Sequence, residues 1–337
     1  MKTIYVSKTP SSFHFNTLQE AILSIPDATD EHFRILVSPG IYEEKVFIRK
    51  KNLEIIGESP DNTIFRYGDG ARKLLPEGTG EYGTFNTAVM LITGCDITLR
   101  NLTVENTAGP GYLAGQALSV FVGADRCRLF NCRLLGFQDT VFAGNMTDRA
   151  LERLMLPDFY RGSSVPILYP CVRNYFQDCY IEGDVDYIFG PNIAYFYRCE
   201  IHSKKAISEG QFSYITAANT PAAQEFGFVF NACRLTGESK TPETYLGRPW
   251  RDFAKTAFVH CDMDGHILPE GWHNWGKARA EAVCSYVEYQ NVGPGAASSQ
   301  RVPFSKVLNH PDLESYYSIQ NVLSGNDGWE PHTFTTL

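Results

Sequence analysis

Five of the nine cysteines in this chain of 337 residues stand at the same place in a recurring frame. An apolar residue lies three positions before each of them, another lies two after, and a small residue, usually glycine, lies four after. The frames centre on Cys132 (Leu129, Leu134, Gly136), Cys179 (Phe176, Ile181, Gly183), Cys199 (Phe196, Ile201, Ser203), Cys233 (Phe230, Leu235, Gly237) and Cys261 (Phe258, Met263, Gly265). A sixth copy puts Leu102 in the cysteine place, with Leu99, Val104 and Asn106 around it. From Leu102 onward the centres are 30, 47, 20, 34 and 28 residues apart. A repeat of this size, holding one short strand and a turn, cannot bury its apolar face alone and must stack on its neighbours. Unequal gaps then mean that loops of different length leave equivalent points of successive coils. The frame predicts an all-β, single-stranded parallel β-helix, one domain over residues 1–337.

Residues 14–26 carry the one clear amphipathic helix pattern, with Leu18, Ala21, Ile22 and Ile25 as its stripe and Pro26 as its stop. Asn16 and Gln19 have the spacing of a capping box. Such a helix would cover the open apolar end of a solenoid, which needs a cap. Residues 143–170 interrupt the repeat and account for its 47-residue gap. They leave the coil just after Asp139, so they are expected to fold over that region and shape a cleft. The tail, 292–337, loses the repeat and is expected to pack along the outside.

Net charge of −8 argues against nucleic acid or an anionic membrane surface as partner. No apolar run reaches the roughly 18 residues of a membrane span. Met1 leads straight into a strand pattern, MKTIYVSK, and repeat cysteines suit small apolar core positions. Both favour a cytoplasmic protein; secretion is the alternative if a signal was removed. A monomer without metal or organic cofactor is expected.

Asp139 lies seven residues after Cys132, and Asp186 seven after Cys179. Equal offsets in consecutive coils put the carboxylates one strand spacing apart, about 4.8 Å. Two acids so close do not both ionise freely, and one keeps its proton near neutral pH. That supplies a neighbouring acid and base, as ester or glycoside chemistry needs. An Asx turn at a strand end would explain either aspartate alone. It explains two in register less well.

Five short segments then fall in order: Gly40-Ile-Tyr-Glu-Glu44, Gln116-Ala-Leu-Ser-Val120, Gly136-Phe-Gln-Asp-Thr140, Asp186-Tyr-Ile-Phe-Gly190 and Leu246-Gly-Arg-Pro-Trp250. Together they resemble the pectin methylesterases, carbohydrate esterases built as a right-handed parallel β-helix of the pectin lyase-like kind. Weaker likeness continues through Gly271-Trp-His-Asn-Trp275 and Glu288–Gly295, so it covers nearly the whole chain. The resemblance implies hydrolysis of galacturonate methyl esters in pectin or in methylated oligogalacturonides, with release of methanol. It implies Asp186 as nucleophile and Asp139 as general acid, then base. Gln116 and Gln138 become oxyanion donors, and Arg248 the partner that keeps Asp186 ionised. Trp250 and Phe189 are expected to line the substrate cleft, and Thr87 to contact substrate. Ordinary packing for Trp250, a surface salt bridge for Arg248 and an amide ladder for the glutamines are the plainer readings. Tyr187 stands where the family has Phe, and Ser119 and Val120 alter the end of their element.

A pectate lyase, a polygalacturonase or a non-catalytic polysaccharide-binding β-helix would share the scaffold. The lyase needs a cluster of carboxylates for a cation, and the polygalacturonase a further acid beside the pair. Neither is visible in the sequence, which favours the esterase.

Overall fold

The computed structural model describes residues 1–9, 14–27, 29–75, 78–145, 153–205, 211–296 and 299–332. Its strands pair in parallel throughout, in one sheet of 16 and another of 8 strands. Parallel pairing of successive short strands requires the chain to travel around the coil before meeting itself again, and the result is the expected parallel β-helix.

The larger sheet forms two of the three faces because Val46–Gly57 and Met90–Arg100 run through both. Beyond Met90–Arg100 the faces separate. One continues through Val120–Val122, Val141–Ala143, Val185–Gly190, Ser213–Ala218 and Thr244–Gly247. The other continues from Cys127–Phe130 to Ser305–Leu308. The 8-stranded sheet is the third face. Gly94, at φ 95, marks the bend of its long strand, where a Cβ would run into the Lys50 carbonyl.

The frame is the register. The residues just after its centres, Thr103, Arg133, Tyr180, Glu200, Arg234 and Asp262, stand opposite one another in the third face. The cysteines are therefore a buried column at the corner between the second and third faces. The residue before each is left-handed: Asn101, Asn131, Asp178, Arg198, Ala232 and His260 have φ of 54, 48, 52, 52, 53 and 52°. One such residue turns the chain sharply, and each corner's amide donates to the next coil, as Asn131 N–H does to the Gln177 carbonyl at 3.0 Å. That repeated bond offsets the roughly 1–2 kcal/mol that the conformation costs a residue other than glycine. The thiols of Cys179, Cys199, Cys233 and Cys261 each lie against the carbonyl of the apolar residue from the coil before, as Cys233 Sγ does with Phe196 at 3.3 Å.

Those apolar residues stack too. Phe176, Phe196, Phe230 and Phe258 form an internal column with ring centroids 4.6, 4.4 and 4.5 Å apart. An aromatic column of this kind buries large area at low entropy cost.

Two details differ from expectation. The helix is Leu18–Leu23, shorter than 14–26, and its cap is Thr17, whose Oγ1 accepts from Glu20 N–H at 3.2 Å. Gln19 makes no return to the cap. It pairs with the backbone of Phe47 instead, while Glu44 accepts from the amides of Leu18 and Gln19. The tail also holds more order than an outer wrap, since Ser305–Leu308 adds a strand to the second face. Beyond it, Ile319–Leu323 and Trp329 cover that face, with Tyr195 donating to the Tyr317 carbonyl at 2.8 Å.

Candidate active site

Val141 opposes Ile188 and Phe142 opposes Phe189, the 47-residue offset that also separates Asp139 from Asp186. Asp139 N–H donates to the Val185 carbonyl at 3.0 Å, which sets the two aspartates side by side in neighbouring coils of the first face. Both are left-handed, at φ 64 and 50°. Asp186 sits in a bulge: Val185 opposes Tyr214 but Ile188 opposes Thr216, so its strand has one residue more than its partner. A bulge turns a side chain out of the ladder's alternation, and bulges and left-handed residues gather where a fold aims a functional group.

The two carboxyl groups have different company. Arg248 meets Asp186 with both prongs of its guanidinium, Nε to Oδ1 at 2.8 Å and Nη2 to Oδ2 at 2.7 Å. The guanidinium lies between the rings of Tyr214 and Trp275, 3.8 and 3.9 Å from their centroids. This is a partly buried, geometrically fixed ion pair and no surface salt bridge. The Asp139 carboxyl makes no hydrogen bond among the described residues.

Burial pushes the Asp186 carboxyl up, and Arg248, with Lys277 behind it, pulls it back. Burial pushes Asp139 much further, with the charge of Asp186 added to it and Arg248 opposing. Asp139 is thus the member of the pair that keeps its proton, and Asp186 the member that gives it up first.

Gln116 and Gln138 are half-buried in successive coils, tied by Ala117 N–H to the Gln138 carbonyl at 3.0 Å. Their side-chain amides make no hydrogen bond among the described residues, so they are not a ladder between coils. Gln138 passes so close to Gly111 that a Cβ there would collide with its amide oxygen. Trp250 is half-buried and packs against Phe142 and Phe189, with centroids 6.5 and 5.8 Å away. Phe189 lies deeper than expected, only 4% exposed beneath Phe85, Phe142 and Trp250. It supports the cleft and offers no open face.

Thr87 takes a different place from the one expected. It is fully buried, its hydroxyl donating to the Thr84 carbonyl at 2.6 Å and accepting from Leu118 N–H at 2.9 Å. It holds the turn that brings Phe85 and Asn86 to the cleft and has no open side for a substrate.

Two hollows flank the pair, and the aspartates line neither. One, of about 690 Å³, is bounded by Tyr82, Phe85, Phe142, Leu154, Trp250 and Arg251. The other, of about 700 Å³, begins at Tyr245 and His273, whose rings contact Tyr214 beside Arg248. The acids stand between two places where a bound chain can lie.

Sequence alone misses Asp184. It is 3% exposed, its Oδ1 accepts from Val185 N–H at 2.7 Å, and burial lifts its pKa to about 6. It stands outside the seven-residue offset, so no repeat pointed to it. Lys277 is missed for the same reason; it donates to the carbonyls of Pro249 and Trp250, fixing the segment that carries Arg248. The family's departures are accommodated locally. Tyr187 OH meets Ser203 Oγ at 3.0 Å, and Ser203 is the one serine in the glycine place of the five cysteine frames. Ser119 Oγ donates to the Val104 carbonyl at 2.7 Å.

The chain is similar to known proteins along most of its length. The family model described as Pectinesterase matches residues 3–151 and 166–326. Pectinesterase 31 of Arabidopsis thaliana is 36% identical over 298 residues, spanning 87% of this chain and 83% of that one. Putative pectinesterase 11 of the same plant is 30% identical over 94% of this chain and 78% of its own length. A longer relative, probable pectinesterase/pectinesterase inhibitor 64, is 32% identical, and the chain spans 50% of it. Among solved structures, pectin methylesterase from carrot superposes with a TM-score of 0.80 at 27% identity, over 96% of this chain and 93% of that one. PemA from Erwinia chrysanthemi gives 0.77 at 27% identity, over 98% of each chain. By its sequence, its coil register and these likenesses, the chain belongs to the pectinesterase family.

Proposed function

We propose that the protein hydrolyses methyl esters of galacturonate units in pectin or in methylated oligogalacturonides. A similar solved structure is a pectin methylesterase in complex with a hexasaccharide, which supports a saccharide chain as the ligand. The observation that carries the reading is the unequal pairing of two adjacent aspartates, one forked by Arg248 and the other with no partner for its carboxyl among the described residues.

Asp186 attacks the ester carbonyl carbon through a carboxylate oxygen. The carbonyl oxygen gains negative charge, and the free amides of Gln116 and Gln138 can donate to it, an effect worth about 3–4 kcal/mol per donor. As the C–O bond to the methoxy group breaks, Asp139 gives that oxygen its proton and methanol leaves. Asp139, now a base, takes a proton from water as the water attacks the acyl-enzyme, releasing the galacturonate carboxylate and restoring Asp186.

Asp184 makes the polygalacturonase alternative worth a direct test, since it is a third acid near the pair. Its carboxyl is engaged with its own strand through Val185 N–H, which favours a supporting role. Methanol release from methylated pectin, without new reducing ends from demethylated polygalacturonate, is expected of the esterase. Asp186→Ala should abolish that release. Equal release from both proteins, or none from either across several degrees of methylation, would favour a binding protein.

For the compartment we infer the cytoplasm. All nine cysteines are free thiols, five of them neighbours in one column, and reducing surroundings suit that arrangement. Recovery of the native protein from the extracellular fraction would overturn this.

A further inference from the structure

The outward row of the first face runs Phe47, Leu91, Phe121, Phe142, Phe189 and Ala217, each opposite the next. In the space where a chain could lie along this row, the family model has no counterpart for residues 152–165. The described part of that insertion, from Arg153 on, folds back over the early rungs. It does not fold over the acids.

Its fastening is extensive. Phe159 and Tyr160 pack edge-on against Phe47, with centroids 6.4 and 6.2 Å away. Tyr160 OH bonds to Thr93 Oγ1 at 2.7 Å, and Arg49 donates to the carbonyls of Val165 and Tyr160 at 2.6 and 2.7 Å. Leu154 and Leu156 join Leu91, Phe121 and Phe142 in one apolar cluster. Met155 N–H donates to Asn86 Oδ1 at 2.9 Å, tying the insertion to the opposite wall, and Arg161 braces it through the Leu154 carbonyl. Arg153 and Leu154 line the hollow beside the aspartates, while Trp250 and Arg251 bound it elsewhere.

We propose that the insertion is a stop that limits how many sugar units extend toward the early coils from the ester being cut. The enzyme then removes methyl groups near one end of a chain and favours short methylated oligogalacturonides over the interior of a polymer. This rests on the esterase reading above. Each rung spans about 4.8 Å, so only a few units fit between the aspartates and a wall standing at Phe121. Arg153 is exposed and makes no ion pair among the described residues. It stands at the stop, where it can meet the carboxylate of a terminal unit, and is the specificity residue of this wall.

The test uses wild-type protein and a fully methylated oligogalacturonate longer than the hollow, labelled at its reducing end. Mass spectrometry at early turnover maps the freed carboxylates. They are expected within a few units of the same chain end in every product; an even spread along the chain overturns the stop while leaving the esterase intact. No methanol from any methylated substrate overturns the esterase reading, and this inference with it. Arg153→Ala should lower kcat/KM about threefold on short substrates whose terminal carboxylate is free, and lower it less on the polymer. An equal change on both, or none, removes Arg153 from the proposal. Excising the whole insertion would strip Arg49 and Thr93 of partners, so the map on wild-type protein is the deciding measurement.

Discussion

Arg248, just past the end of Thr244–Gly247, grips Asp186 in a two-pronged bond at 2.8 and 2.7 Å, at a place where burial would otherwise be hostile to charge. The pairing opposes the upward push of burial on Asp186 and leaves Asp139 as the protonated neighbour. The reaction needs Asp186 ionised and Asp139 protonated at once. The rate should therefore rise with pH through the Asp186 ionisation and fall through that of Asp139, giving a bell in kcat/KM.

Replacing Arg248 by Lys keeps a positive charge and loses the fork and the fit between Tyr214 and Trp275. Asp186 then holds its proton to higher pH, so the acid limb should move up. A misplaced nucleophile lowers kcat by about a hundredfold even at the new optimum. A pH profile with its acid limb unmoved would show that Arg248 serves only to hold the strands together.

Asp184→Asn keeps an acceptor for Val185 N–H and removes a buried charge beside Asp139. That charge raises the Asp139 pKa, so its removal should bring the alkaline limb of the profile to lower pH. Stability should change in the opposite sense. The folded pKa of Asp184 is raised to about 6, so wild-type protein loses stability as pH rises from the ordinary carboxylate range through about 6. The Asn variant escapes this loss, which is at most about 3 kcal/mol. Thermal unfolding at pH 4 and pH 7 should show the variant gaining on wild type at the higher pH. A constant difference would mean that Asp184 ionises freely in the fold.

Much of this arrangement is legible in the chain because a solenoid converts spacing into register. The gaps between frame centres are the offsets of the strand ladder, so one count places both the cysteine column and the aspartate pair. Features that do not repeat were not legible. Asp184 occupies no equivalent place in a second coil, and the bulge at Asp186 is a local departure from alternation. Spacing near one coil gives Thr87 its rung without saying that its side chain faces inward. The helix cap is not legible locally because Glu44, a distant residue, already satisfies the amides of Leu18 and Gln19.

Tyr187 and Ser203 form a buried pair whose partners depend on each other. Tyr187→Phe leaves the Ser203 hydroxyl without its bond, and Ser203→Ala does the same to the phenol. Each single change should cost about 1–2 kcal/mol, whereas the double change removes both polar groups and should cost less than the sum. Denaturant midpoints for the four proteins measure the coupling. Additive losses would mean that the 3.0 Å contact contributes nothing.

Phe196 stands in the middle of the internal aromatic column, 4.6 Å from Phe176 and 4.4 Å from Phe230, fully buried. Its neighbours belong to other coils, so the cavity left by Phe196→Ala cannot close without shifting strands fixed by their own ladders. The loss should lie near the top of the range for such truncations, about 3–5 kcal/mol. The column lines the second face, while the aspartates stand on the first. The folded fraction should therefore keep wild-type kcat as the unfolding midpoint falls. Phe196→Leu keeps most of the volume and should cost distinctly less. If kcat fell together with stability in both variants, the coils would be coupled laterally through the core, and the site would depend on the column and not only on its own face.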